Sequence, residues 1–245
     1  LADRLKRALQ QRYFTADGLE IDTQTAHIVA LFMDFVPAAL HRRVVKRLRT
    51  LLCENGMHLN TGFVGTPYFC PVLSQNKANE DAYTLLLNEG FPSWLYEVNM
   101  GATTIWERWN SVLPDGHVSD TGMNSMNHYS YGAVVEWIYR YACGLQPLES
   151  SPGWKRIRIA PCTDPRIGHA EAQYLSASGM YAVAWKYTED AIQFRITVPF
   201  DAEAEFCYSC SGAVAYVNQV RRMDLEEDGL CRLEAGDYVI DIQKH

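Results

Sequence analysis

The chain has 245 residues, 48% of them hydrophobic and 21% charged, with 16 Gly and 10 Pro, a composition that excludes disorder and collagen-like structure and leaves room for a sizeable core. Lys and Arg number 22 against 29 Asp and Glu, a formal charge of −7, so nucleic acid and anionic membrane surfaces are poor partners. No apolar run approaches the roughly 18–20 residues of a membrane span, and the seven scattered Cys read as free thiols in a chain long enough to fold without staples.

The first residues lack Met and carry Leu1, Leu5, Ala8 and Leu9 at helical steps over 1–12. They do not read as a signal peptide. The chain is therefore expected to be a piece of a longer polypeptide, and its compartment is left open. Thr23 is placed to cap a second helix that Pro37 should stop. Val44, Val45, Leu48, Leu51 and Leu52 repeat through a third over 39–54, closed by Gly56. Its cluster Arg42, Arg43, Lys46, Arg47 and Arg49 reads as a solvated helix face. Further helices are expected near 66–75, 78–88, 92–98 and 128–143. The stretch 99–127, rich in Gly, Asn, Ser and Asp, is long and irregular, and loops on rigid scaffolds tend to carry function.

After Gly144 the period changes. Trp154–Ile159, Gly179–Tyr187, Ala191–Val198, Ala204–Tyr208 and Tyr238–Ile242 alternate inward and outward residues, separated by turn signals at Pro161, Ser178-Gly179, Glu189-Asp190, Asp228-Gly229 and Gly236-Asp237. Such spacing predicts an antiparallel sandwich or small barrel. The reading is thus mainly α plus β: a helical domain over 1–144 and a β-domain over 145–245, joined at Gln146–Gly153. Cys207 and Cys210 lie in a strand-like stretch where an offset of three points side chains to opposite faces. No second pair or nearby His completes a zinc set, and no metal or other cofactor is expected.

Ten aromatics fall between Phe91 and Tyr141, four of them Trp. Flat rings beside carboxylates suit a sugar, whose C–H faces stack while its hydroxyls take hydrogen bonds. Helix-spaced rings such as Trp137 and Tyr141 read as core; Trp106 and Trp109, beside Gly101-Ala-Thr-Thr, read less clearly so. Glu107 stands between those two Trp. Such packing desolvates a carboxylate and suits general-base work, although Arg108 next to it makes a structural Glu–Arg pair the blander reading of the residues alone. Glu97 and Asp120 are the local carboxylates that could compete with it.

Three motifs, Gly62-Phe-Val-Gly-Thr66, Gly101-Ala-Thr-Thr-Ile-Trp-Glu-Arg-Trp109 and Met123-Asn-Ser-Met-Asn-His-Tyr-Ser-Tyr-Gly132, together resemble the bacterial α-L-rhamnosidases of glycoside hydrolase family 78. Gly153-Trp-Lys-Arg-Ile-Arg-Ile-Ala-Pro161 and the strand ending at Trp185 resemble the start of that family's C-terminal β-domain. The similarity runs over about residues 20–240. It implies a partial (α/α)6 barrel followed by an antiparallel β-sandwich. Twelve helices make such a barrel and this chain offers about six or seven, so about half, on the N-terminal side, is expected to lie outside it together with the general acid.

The resemblance further implies hydrolysis of terminal α-L-rhamnosides with inversion, with Glu107 as general base, His128 as a sugar-binding residue, Trp106 as a wall of the site and Asn127 as a weaker sugar contact. Two other classes stay open: a non-catalytic carbohydrate-binding or scaffolding piece, and another α/α-barrel enzyme such as a polysaccharide lyase. The expected partners are a rhamnose-containing glycoside or polysaccharide and the N-terminal remainder of the polypeptide. Neither nucleic acid nor a membrane is expected, and the isolated chain should self-associate through the uncovered helices.

Overall fold

Twelve residues form α1 (Ala2–Tyr13) in the computed structural model, which describes residues 1–210 and 212–244. None of the twelve is buried. A two-stranded hairpin, β1 (Phe14–Thr15) and β2 (Gly18–Leu19), leads to α2 (Gln24–Phe32). There the Thr23 hydroxyl accepts the Ala26 N–H at 3.2 Å, as its capping position requires. The helix stops short of Pro37. The Phe35 N–H reaches back to the Ala30 carbonyl at 2.8 Å and the Asp34 N–H to that of Leu31, with Asp34 at φ 54°. That is a Schellman ending in which an Asp takes the left-handed position.

In α3 (His41–Glu54), Val44, Leu48 and Leu52 are buried at four-residue steps, and Gly56 at φ 64° closes the helix. Three of its guanidinium groups are held by neighbours: Arg47 bonds Asp22 and Glu54, Arg43 the Ala16 carbonyl and Arg49 Asp81. At the centre of this unit lies α4 (Thr66–Gln75), in which Phe69, Cys70, Pro71, Val72 and Leu73 are all buried. Both α2 and α5 (Asn79–Leu86) pack on it. A short helix α6 (Trp94–Asn99), capped by the Ser93 hydroxyl on the Tyr96 N–H, precedes a non-helical stretch that lasts until the 3₁₀ turn Ser130–Ala133.

The compact units of the chain are Leu1–Val134 and Val135–His245. The helix expected over 128–143 is three pieces: that 3₁₀ turn, α7 (Val134–Trp137) and a π-helical turn, Ile138–Ala142. Gly144, at φ 83°, then turns the chain so closely that a Cβ there would lie 2.3 Å from the Pro161 nitrogen.

Two sheets follow. The larger has the order β10-β9-β12-β7-β6-β5 and the smaller β11-β8-β4-β3. The strands are β3 (Leu145–Pro147), β4 (Arg156–Ile159), β5 (His169–Ser176), β6 (Gly179–Tyr187), β7 (Ala191–Val198), β8 (Glu203–Cys207), β9 (Ala213–Val217), β10 (Val220–Arg221), β11 (Leu230–Leu233) and β12 (Gly236–Lys244), with α8 (Met223–Asp228) before β11. Every described pair is antiparallel except β4 with β8. Between those two strands the chain makes the β5–β6–β7 meander in the other sheet and returns in the same direction. One core joins both sheets: Tyr181, Val183, Trp185, Phe194 and Ile240 from the larger meet Ile157, Ile159, Phe206 and Leu233 from the smaller. Phe194 and Phe206 touch edge to face with centroids 5.1 Å apart.

Candidate active site

The loop that carries Glu107 begins at the C-terminus of α6. The Gly101 N–H bonds the Val98 carbonyl at 2.9 Å and the Ala102 N–H that of Glu97 at 3.0 Å, with Gly101 at φ 86°. This Schellman ending needs a left-handed residue, which glycine supplies without a Cβ clash. The chain leaving it runs alongside the Ser125–His128 segment. The His128 N–H donates to the Ile105 carbonyl at 2.8 Å, the Glu107 N–H to the Ser125 carbonyl at 2.9 Å, and the Thr104 hydroxyl to the Met126 carbonyl. The second and third motifs are thereby paired along their backbones.

Glu107 is half-buried, and its Oε2 accepts the Ser125 N–H at 2.8 Å. Glu107 and Ser125 thus hold each other through two bonds, which fixes the carboxylate without consuming Oε1, an oxygen that takes no hydrogen bond among the described residues. Arg108 turns away and donates to the Thr121 hydroxyl at 2.6 Å. The Glu107–Arg108 pair left open by the sequence is not among the ion pairs of the described residues.

The His128 ring stacks on Phe63, with centroids 4.8 Å apart and planes at 20°, and on Tyr129 at 5.1 Å. Its Nδ1 accepts the Ser130 N–H at 3.3 Å, which places the proton of the neutral ring on Nε2, free to donate. Phe63 belongs to the first motif. That motif is tight: a Cβ on Gly65 would lie 2.9 Å from Thr61, and the Thr61 and Thr66 hydroxyls bond at 2.8 Å. All three motifs therefore meet at His128. Asn127 is exposed, tied through its backbone to Ser125, with an amide that makes no hydrogen bond among the described residues.

The two Trp behave as interior residues. Trp106 is 4% exposed. Trp109 is stacked on Tyr131 at 3.9 Å and meets the edge of Trp94, whose indole N–H donates to the Tyr131 carbonyl at 2.9 Å. A Trp expected at the margin of the core thus stands inside it, because Trp94 and Tyr131 come from elements flanking the loop on both sides.

Of the other carboxylates, Asp120 is exposed. Glu97, by contrast, is 2% exposed, with Oε2 accepting the Trp106 N–H at 3.4 Å and Oε1 without a partner among the described residues. Burial pushes its carboxyl up to about 7, only partly countered by that N–H. Spacing alone could have found it, since Glu97 lies one turn beyond the buried Trp94 on the same helix face. Among the described residues the seven cysteines are free thiols, no three His, Cys, Asp or Glu gather as for a metal ion, and no helix is long and apolar enough to cross a membrane.

Two family models match the chain: the bacterial alpha-L-rhamnosidase 6 hairpin glycosidase domain over residues 1–142 and the bacterial alpha-L-rhamnosidase C-terminal domain over residues 144–218. Among curated proteins, an alpha-L-rhamnosidase of Alteromonas sp. is 38% identical over 205 residues, covering 82% of this chain and 22% of the relative. One of Streptomyces avermitilis is 37% identical over 206 residues, 84% of this chain and 20% of the relative. The crystal structure of the Streptomyces avermitilis alpha-L-rhamnosidase complexed with L-rhamnose superposes with a TM-score of 0.88 at 33% identity, over 98% of this chain and 24% of that one. The chain spans about a fifth of the length of the curated relatives it matches.

Proposed function

This chain belongs to the bacterial α-L-rhamnosidase family, and on that premise we propose that it is the C-terminal part of an inverting α-L-rhamnosidase in which Glu107 is the general base. Residues 1–144 form the C-terminal half of its catalytic barrel and residues 145–245 its β-sandwich domain. The substrate is a rhamnose-containing glycoside or polysaccharide.

The observation that carries this reading is the paired fixing of Glu107, a half-buried carboxylate held by the Ser125 backbone with one oxygen unengaged and no cation bound to it among the described residues. Such a group can take a proton from water without first giving up an ion pair. Inversion requires a second carboxyl to protonate the leaving oxygen, about 6.5–9.5 Å away across the sugar. That acid lies outside this chain. His128 donates Nε2–H to a rhamnose hydroxyl and Asn127 offers its free amide to another. Trp106, buried next to Glu107 in the chain, is assigned as a wall of the site.

The test is the configuration of the first sugar released. Proton NMR of an α-L-rhamnoside digested by the full-length enzyme is expected to show β-L-rhamnose before mutarotation. Release of the α anomer contradicts the single-displacement role given to Glu107.

A further inference from the structure

Glu97 is the least expected group in the first unit. It is an acid 2% exposed, with one carboxyl oxygen unpartnered among the described residues and no cation paired to it there. Burying such a group costs free energy that a Met or Leu at the same place would not. What it does hold is specific. Its main-chain carbonyl takes the Ala102 N–H at 3.0 Å and its side-chain Oε2 takes the Trp106 N–H at 3.4 Å. A single residue thus grips both ends of the segment 102–106, which delivers Glu107. Beyond Glu107 the grip passes to Ser125.

We propose that Glu97 is a positioning residue for Glu107, whose hold on the Trp106 backbone tightens when its carboxyl is ionised. This rests on the assignment of Glu107 as the base. A separation of 3.4 Å is the long end for an N–H···O bond, and a neutral acid is a weaker acceptor than a carboxylate, whose bonds run nearer 2.7–2.9 Å. Glu97 meets the loop through the Trp106 N–H. From the Ser130–Ala133 turn comes Tyr131, whose hydroxyl is pushed up first by burial and then by the charge on Glu97. The Arg108 guanidinium acts on that same hydroxyl in the opposite sense.

With the carboxyl titrating near 7, ionised Glu97 and its benefit to turnover appear as pH rises through neutrality. Glu97→Gln keeps the shape and an acceptor oxygen but holds the neutral state at every pH. In the full-length enzyme, the ratio of wild-type to Glu97→Gln kcat on an aryl α-L-rhamnoside is expected to be close to one at about pH 5.5 and to rise several-fold by about pH 8, with KM unchanged. Glu97→Met removes the acceptor and is expected to lower kcat roughly ten- to a hundredfold at all pH, without loss of thermal stability. A pH-independent ratio for Glu97→Gln, or a Glu97→Met enzyme as active as the wild type, overturns the proposal. Glu107→Gln, assayed alongside, separates the two claims. If it is inactive while the Glu97 variants are normal, only the positioning role fails; if it is active, the base assignment itself fails.

Discussion

A carboxylate can serve as a base only if its environment leaves an oxygen available and its chain segment cannot wander, and single residues meet both conditions here. Ser125 fixes one oxygen of Glu107, and Gly101 sets the direction in which the loop leaves α6. Glu97 works against the fold while serving the loop. Its carboxyl titrates at about 7 in the folded chain against 4.5 as a free group, so folding binds its proton more tightly. The stability it contributes is fully present below about pH 4.5 and is lost as pH rises through about 7. Glu97→Gln is accordingly expected to leave stability unchanged near pH 4.5 and to raise it at about pH 8 by up to roughly 3 kcal/mol, measured as the difference in denaturant midpoints between the two pH values. Equal stability of the two proteins at pH 8 would show that the buried carboxyl costs nothing. On the role proposed for His128, His128→Ala removes an N–H donor to the sugar and leaves the Glu107–Ser125 bonds in place. It is expected to weaken rhamnose binding by about 1–3 kcal/mol, read by calorimetry, with a smaller effect on kcat.

At the scale of elements, what was legible in the sequence follows a physical divide. Helices with a clean apolar stripe or a signalled end, such as α3 with Val44, Leu48, Leu52 and Gly56, were read almost to the residue. The end of α2 was not, because Asp34 occupies the left-handed position that glycine usually advertises. The hairpin of β9 and β10 turns on Asn218 and Gln219, both at positive φ, where Asn-Gly would have signalled the same turn. The edge strand β5 was missed because most of its residues are exposed and its alternation is weak. At the site, helical spacing from Trp94 already puts Glu97 on the inward face of α6, but nothing in the sequence said that Arg108 points away from Glu107, which depends on its bond to Thr121 across the loop. The Schellman turn before Glu107 gives an expectation at this scale. In Gly101→Ala no atom crowds the new Cβ, so the cost is that of the left-handed backbone alone, about 1 kcal/mol in chemical denaturation. The loop should still deliver Glu107. A loss of several kcal/mol would mean that the turn does more than reverse the chain.

The chain forms two compact units. The β-sandwich has a continuous core from both sheets, and the first unit leaves Leu5 in α1 54% exposed and Val64 65% exposed. On the reading that further helices complete the barrel, the isolated 245-residue chain is expected to self-associate at micromolar concentration. Light scattering after size exclusion checks this, and a monodisperse monomer contradicts it. The base assignment is tested most directly by turnover in the full-length Glu107→Gln enzyme, because an amide of the same shape keeps the Ser125 N–H bond but cannot accept a proton from water. A fall in kcat of about 10²–10⁴ with rhamnose binding retained is expected; near-normal hydrolysis of an α-L-rhamnoside by a folded Glu107→Gln enzyme would contradict it.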